Sequence, residues 1–327
     1  MRKFLFAVVS VAFLSAPISV SADEFRTGTP TGELDAITWY TFYRPAFGLV
    51  GFQFADYPEM MVDANLCESL VRINPDFSLT PGLASWENVN ATTVKYTIRD
   101  GAKFWDGQPV TAEDVVYSLG LHLDPTKGSL FFMPHKNVDS IHAIDDRTVE
   151  VKLQTPDNTW TGHMAGPSGK IYQKAHTEAA GGDWGSPAGL VMCSGPYKPG
   201  KWAPGESLEI VRNDNYWNDD FGQLVRSVTF VWPQDPATVA NAMNSGEIDG
   251  GWEIPPASMP ALRNGNAGKL FVGPADTSYQ NFSLIVGSFE NGPLADVRVR
   301  RALSMAIDRK GIATAVYGGG AEPLYSV

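Results

Sequence analysis

Five histidines, two cysteines, three close carboxylate pairs and one glycine–lysine loop are the residues on which chemistry could be built. His122, His135, His142, His163 and His176 stand in no H-x-x-x-H or H-E-x-x-H pattern, so a zinc hydrolase has no support. There is no G-x-S-x-G nucleophile elbow. Glycosidases work with paired carboxylates, and Asp145-Asp146, Asp219-Asp220 and Glu247/Asp249 are close in sequence. Each pair falls at a turn, however, where Asp is favoured because it bonds to its own backbone. Residues 195–201 fit the first seven positions of a phosphate loop. The eighth is Trp202 where Ser or Thr would hold magnesium, and Pro196 and Pro199 remove two amide donors. That segment reads as a turn joining two strands. The expectation is a protein without catalytic residues, cofactor or metal.

Cys67 and Cys193 depend on compartment for their reading. Arg2 and Lys3 precede an apolar run over residues 4–14, and Val20-Ser21-Ala22 offers small residues before the acidic Asp23-Glu24. This is the pattern of a secretory signal peptide over residues 1–22, cleaved near Ala22. Eleven apolar residues are too few to span a bilayer, which needs about twenty. An oxidising compartment favours pairing of the two cysteines. Two unrelated buried thiols are the alternative.

The elements that would position these residues are short and mixed. Residues 23–62 are aromatic-rich and fit neither a period of 2 nor one of 3.6. Residues 64–72 suit a short helix or a strand. Val94, Tyr96 and Ile98 alternate with polar residues as in a half-buried strand, and Asp100-Gly101 and Asp106-Gly107 are turns. Thr111 with Asp114 three residues on makes a capping-box pair, and Val115, Val116 and Leu119 supply the stripe of the helix that follows. Strands are expected around Val149–Leu153, Leu208–Ile210 and Val228–Trp232. Helices are expected over residues 236–244 and 296–307, and from an Asp308 cap to Tyr317. Short strands alternating with helices indicate an α/β architecture.

Composition agrees with a globular protein of about two domains. The chain has 327 residues, 43% hydrophobic and 19% charged, with 32 Gly and 23 Pro that imply many turns. A net charge of −11 argues against nucleic acid as a partner. Nine Trp and eleven Tyr exceed what a core needs and suit a binding surface.

Five segments, taken in order, resemble the family 5 extracellular solute-binding proteins, the peptide- and oligopeptide-binding components of ABC importers. They are NLCESLVR at 65–72 with LTPGLASW at 79–86; YTIRDGAKFWDG at 96–107 leading into TAEDVVYSL at 111–119; SGPY at 194–197 with NDNYW at 213–217; NSGEID at 244–249; and DVRVRRALSMAIDR at 296–309. Cys67 stands where the commoner pattern has Tyr, and Cys193 directly precedes SGPY. Both unusual cysteines thus fall in family segments, which fits a disulfide between them.

The resemblance implies a periplasmic-binding-protein-like two-lobe fold of type II with mixed sheets. It places lobe I over residues 23–275, with a subdomain at about 60–190, and the crossover and start of a truncated lobe II over residues 276–327. Family members resembling this chain continue well beyond its last helix, so a fragment or truncated product is expected. The implied function is capture of a peptide or similar small solute between the lobes and delivery to ABC permease subunits, with ATPase subunits engaged indirectly. A periplasmic monomer is expected. On the lobe I wall the implied ligand contacts are Tyr57, Asn65 and Glu68 (with Cys67 between), Trp252, Glu253, Tyr279 and Asn281. A secreted hydrolase such as a glycosidase, or a module presenting ligand to a membrane sensor, are the alternatives. Nothing in the sequence selects among peptide, oligosaccharide, nickel complex, haem and opine.

Overall fold

In the computed structural model the described residues are 32–44, 48–53, 56–74, 76–218, 222, 224–268, 270, 292–317 and 323. The expected signal peptide, Tyr279, Asn281 and the Asp219-Asp220 pair lie outside them. The chain divides into two units, of which Gly32–Gly268 is one.

Strand β1 (Leu34–Tyr40) leads to helix α1 (Tyr57–Leu66). A hairpin follows, β2 (Val71–Ile73) with β3 (Leu79–Pro81). Next come β4 (Ala84–Asn90), β5 (Thr93–Ile98), α2 (Ala112–Gly120), the one-turn α3 (Phe132–His135), β6 (Val138–Ala143) and β7 (Thr148–Leu153). After α4 (Trp160–His163) and α5 (Lys174–Ala180), the chain forms β8 (Tyr197–Ala203), β9 (Ser207–Arg212) and β10 (Val225–Val231). Helix α6 (Pro236–Ser245), β11 (Gly250–Gly251) and α7 (Met259–Arg263) complete this unit. In the other unit the described elements are α8 (Val297–Ala306) and α9 (Arg309–Tyr317).

Two sheets organise the larger unit. One has the order β11-β1-β10-β9-β8 and is mixed: β1 runs parallel to both β10 and β11, while β10, β9 and β8 alternate. The other, β4-β5-β7-β6, is antiparallel throughout. Its inner face buries Tyr96, Ile98, Val149 and Val151 against Val115 and Leu119 of α2, Trp160 and Met164. The mixed sheet packs Leu208, Ile210 and Phe230 against Val62 and Leu66 of α1. On its opposite face Tyr40 meets Val239 and Ala242 of α6.

The strand order explains a segment that resisted pattern reading. β1 lies between two parallel neighbours and has Trp39 against one core and Tyr40 in another. A strand covered on both faces need not alternate. The segment expected as a turn at residues 195–202 is instead mostly edge strand β8, with a register shift between Pro199 and Trp202. Proline fits there because an edge strand has an amide side that needs no partner. Residues 64–72 divide between the end of α1 and β2.

Cys67, at the C-cap of α1, is bonded to Cys193, with Cα atoms 5.0 Å apart and 126 residues between them in sequence. The antiparallel sheet and helices α2 to α5 all fall inside that loop, so the bond sits at the neck where this insertion leaves and rejoins the mixed sheet. Other contacts lace the same neck. The Lys170 ammonium lies 2.9 Å from Asp63 Oδ2 and donates to the Asp63 and Cys67 carbonyls, capping α1. The Gly195 amide donates to Leu66 O at 3.0 Å, and a Cβ on Gly195 would stand 2.2 Å from that oxygen. No larger residue fits there.

Candidate ligand-binding wall

Three chain segments meet at the carboxyl ends of the parallel strands, where open α/β sheets place their ligand crevices. The first is Thr41-Phe42-Tyr43, leaving β1. The second is the start of α1. The third is Trp252-Glu253, leaving β11. The backbone ties the third to the end of β1, where the Trp252 amide donates to Tyr40 O at 3.3 Å, and the first to the end of β10, where the Thr41 amide donates to Val231 O at 2.9 Å.

The side chains make an aromatic wall. Tyr57 and Trp252 pack edge to face, with ring centroids 4.7 Å apart and an interplanar angle of 70°. They remain 59% and 41% exposed; Phe42, two residues past the end of β1, is 43% exposed and packs edge-on to Tyr43 at 5.8 Å. Aromatic pairs contribute about 0.5–1.5 kcal/mol beyond area burial, which offsets the cost of holding apolar faces toward water.

Carboxylates stand behind the rings. Tyr43 hydrogen-bonds Asp56; burial, then Asp56, Glu59 and Glu253, push its phenol well above the usual tyrosine range. Burial and Glu253 push Tyr40 up to about 12. Burial also raises the Glu253 carboxyl. Glu253 has φ of +54°. For a residue with a Cβ this left-handed conformation costs about 1–2 kcal/mol, and such strain concentrates where a side chain must be aimed.

The residues expected to contact ligand separate into groups. Tyr57, Trp252 and Glu253 come together. Asn65 lies eight residues along α1, about 12 Å at the helical rise. Its amide donates to Met61 O, and it lines a small apolar cavity of about 230 Å³ with Trp39, Val228 and Phe230. Glu68 is buried and turned inward. Its Oε1 accepts from the Tyr216 hydroxyl at 2.7 Å and Arg72 at 3.4 Å; its Oε2 accepts from Trp217 Nε1 at 2.6 Å and Ser194 Oγ at 3.0 Å. Four donors fill both oxygens, so Glu68 ties the neck to the segment after β9. Phe42, Tyr43, Asp56 and Glu59 were not expected at the wall. Their signal was positional, directly after a parallel strand and at a helix start, and it is visible only once the strand is known.

The family model for bacterial extracellular solute-binding proteins, family 5, middle, matches residues 78–327. The chain belongs to this family. It is 29% identical over 343 aligned positions to the periplasmic murein peptide-binding protein MppA of Escherichia coli (strain K12), covering 99% of this chain and 62% of that one. It is 31% identical to the periplasmic oligopeptide-binding protein OppA of Salmonella typhimurium, covering 82% and 52% respectively. A solved structure of the Escherichia coli murein tripeptide-binding protein MppA superposes with a TM-score of 0.73 at 27% identity, over 88% of this chain and 58% of that one. Haemophilus influenzae OppA in complex with the peptide RPPGFSPFR has the same fold, with a TM-score of 0.68 at 23% identity. The chain spans about half to three-fifths of the length of these relatives.

Proposed function

We propose that the protein is the exported solute-binding component of an ABC importer. It captures a peptide or similar small solute on the Phe42–Tyr57–Trp252 wall and delivers it to permease subunits in the inner membrane. The observation that carries this reading is the exposed edge-to-face pair of Tyr57 and Trp252 at the carboxyl ends of parallel strands, beside carboxylates held in partly buried positions. Relatives named for murein-peptide and oligopeptide binding support the same solute class. We assign Gly32–Gly268 to lobe I and the antiparallel sheet with α2 to α5 to its subdomain. A solute touching both lobes favours the closed state by its differential affinity, and closure marks the loaded protein for the permease. This cycle requires no bond to be made or broken in the solute.

The test is equilibrium binding of short peptides to the purified protein, followed by tryptophan fluorescence and calorimetry. Saturable binding with the peptide recovered intact by mass spectrometry is expected. Trp252→Ala and Tyr57→Ala should each weaken binding about tenfold, the ratio that corresponds to 1.4 kcal/mol, with little change in melting temperature. Peptide cleavage, or affinity unchanged in both variants, would overturn the reading.

A further inference from the structure

A second concave site lies in the subdomain, on residues the solute wall does not use. Ser85 on β4 and Thr97 on β5 are register partners. They alternate with buried Ala84 and Ile98, so they lie on the solvent face of the antiparallel sheet. With Arg99, Asp100, Arg147 and Trp217 they line a pocket of about 600 Å³. This is within the size range of small-molecule sites.

Its two guanidinium groups are held in place before any ligand arrives. Arg147 donates from both Nε and Nη2 to Ile98 O and pairs with Asp100 through Nη1. Arg99 donates from Nη2 to Pro81 O at 2.8 Å and lies over the Trp217 ring, 5.3 Å from its centroid. Trp217 is in turn fixed by its bond to buried Glu68. Arg99 Nε is buried and has no acceptor. A guanidinium carries five N–H donors, so both arginines keep donors beyond these bonds. Two positioned guanidinium groups that line one pocket and keep unused N–H donors suit an anion with several oxygens. The chain as a whole carries a charge of −11, so no general surface field explains two arginines gathered here.

We propose that this pocket binds a compact oxyanion, a carboxylate or a phosphate, between Arg99 and Arg147, with the Ser85 and Thr97 hydroxyls as further donors. The site is independent of the solute wall. The pairing of Arg147 with Asp100 leaves the pocket only modestly cationic, which fits a reversible ligand.

The experiment titrates the intact protein with inorganic phosphate and, separately, with citrate, read by calorimetry and by 31P line broadening for phosphate. Saturable millimolar or tighter binding of either probe supports the site, and which probe binds separates phosphate from carboxylate chemistry. Arg99→Gln should abolish binding. Arg99 also braces Trp217, so Ser85→Asp is the companion variant: it places a like charge in the pocket from an exposed strand position. It should weaken binding at least about tenfold with melting temperature unchanged. No binding of either probe at millimolar concentration, or affinity that survives both variants, would overturn the proposal.

Discussion

His122 and His135 stack face to face, with centroids 4.1 Å apart and planes 14° from parallel. Both are buried, with Phe52 against one ring and Trp160 against the other. Each Nδ1 is engaged, by Ser129 Oγ and by Phe131 O, and each Nε2 has no partner. Burial, then the neighbouring His135, pushes His122 down to about 3. Burial is likewise the main cause that takes His135 down to about 4; His163 lowers it further, while the Phe131 and Ser168 backbones oppose the shift. The folded state therefore keeps both rings neutral where the unfolded chain protonates near 6.5. Stability is whole above that value and is lost as pH falls through it toward 4, because unfolding takes up two protons. The slope approaches about 2.7 kcal/mol per pH unit for two such groups. Urea midpoints between pH 7.5 and 4.5 should show it, and His135→Phe should remove about half. An unchanged slope in that variant would sink the account. The sequence showed only that these histidines make no local metal motif. Their stacking depends on how the chain returns from α2 through α3, which no spacing rule encodes.

Elements were legible where one face meets water. β5 and β7 alternate in sequence and lie in the antiparallel sheet. The capping box at α2 forms as read: the Asp114 amide donates to Thr111 Oγ1 and the Thr111 amide to Asp114 Oδ2. Asp235 caps α6, and Gly246 ends it at φ +79°. Coverage on both sides made an element harder to read: β10 still showed its alternation, but the aromatic run of β1 did not. β1 was hidden for that reason, and so was β11, a two-residue ladder against Trp39 and Tyr40 that follows the NSGEID segment. That ladder depends on glycine. A Cβ on Gly250 would stand 2.5 Å from Trp39 Cζ3, inside any real contact. Gly250→Ala must therefore move the indole or detach β11, and overpacking of this kind costs about 1–3 kcal/mol. Because Trp252 follows β11 directly, the variant should lose solute affinity as well as melting temperature. Wild-type affinity in a folded Gly250→Ala protein would show that β11 does not position the wall.

At the scale of the molecule, the wall and the subdomain are joined through one neck. Both chain crossings pass through it, at Cys67 and Cys193, and the pairing that compartment and family segments suggested is present there. What the sequence could not convey is the company the bond keeps: the buried Lys170–Asp63 pair, the four-donor Glu68 and the close approach of Gly195 to Leu66. These groups are far apart in sequence and meet only because the insertion closes on itself. The Lys170 pair alone would be costly to disrupt, since removing one partner of a buried ion pair typically costs about 3–5 kcal/mol. The disulfide acts on the other side of the equilibrium. Closing a loop of this length in the unfolded chain stabilises the fold by about 4–5 kcal/mol on the chain-entropy account. For a unit of this size that corresponds to a fall of about 10–15 °C in melting temperature when the bond is removed. Cys67→Ala with Cys193→Ala should show that fall and still bind solute once folded, because neither sulfur faces the Tyr57–Trp252 wall. Thiol titration of the unfolded, unreduced protein should find no free cysteine. Two free thiols, or a double variant as heat-stable as the parent, would show that the surrounding polar contacts hold the neck without the bond.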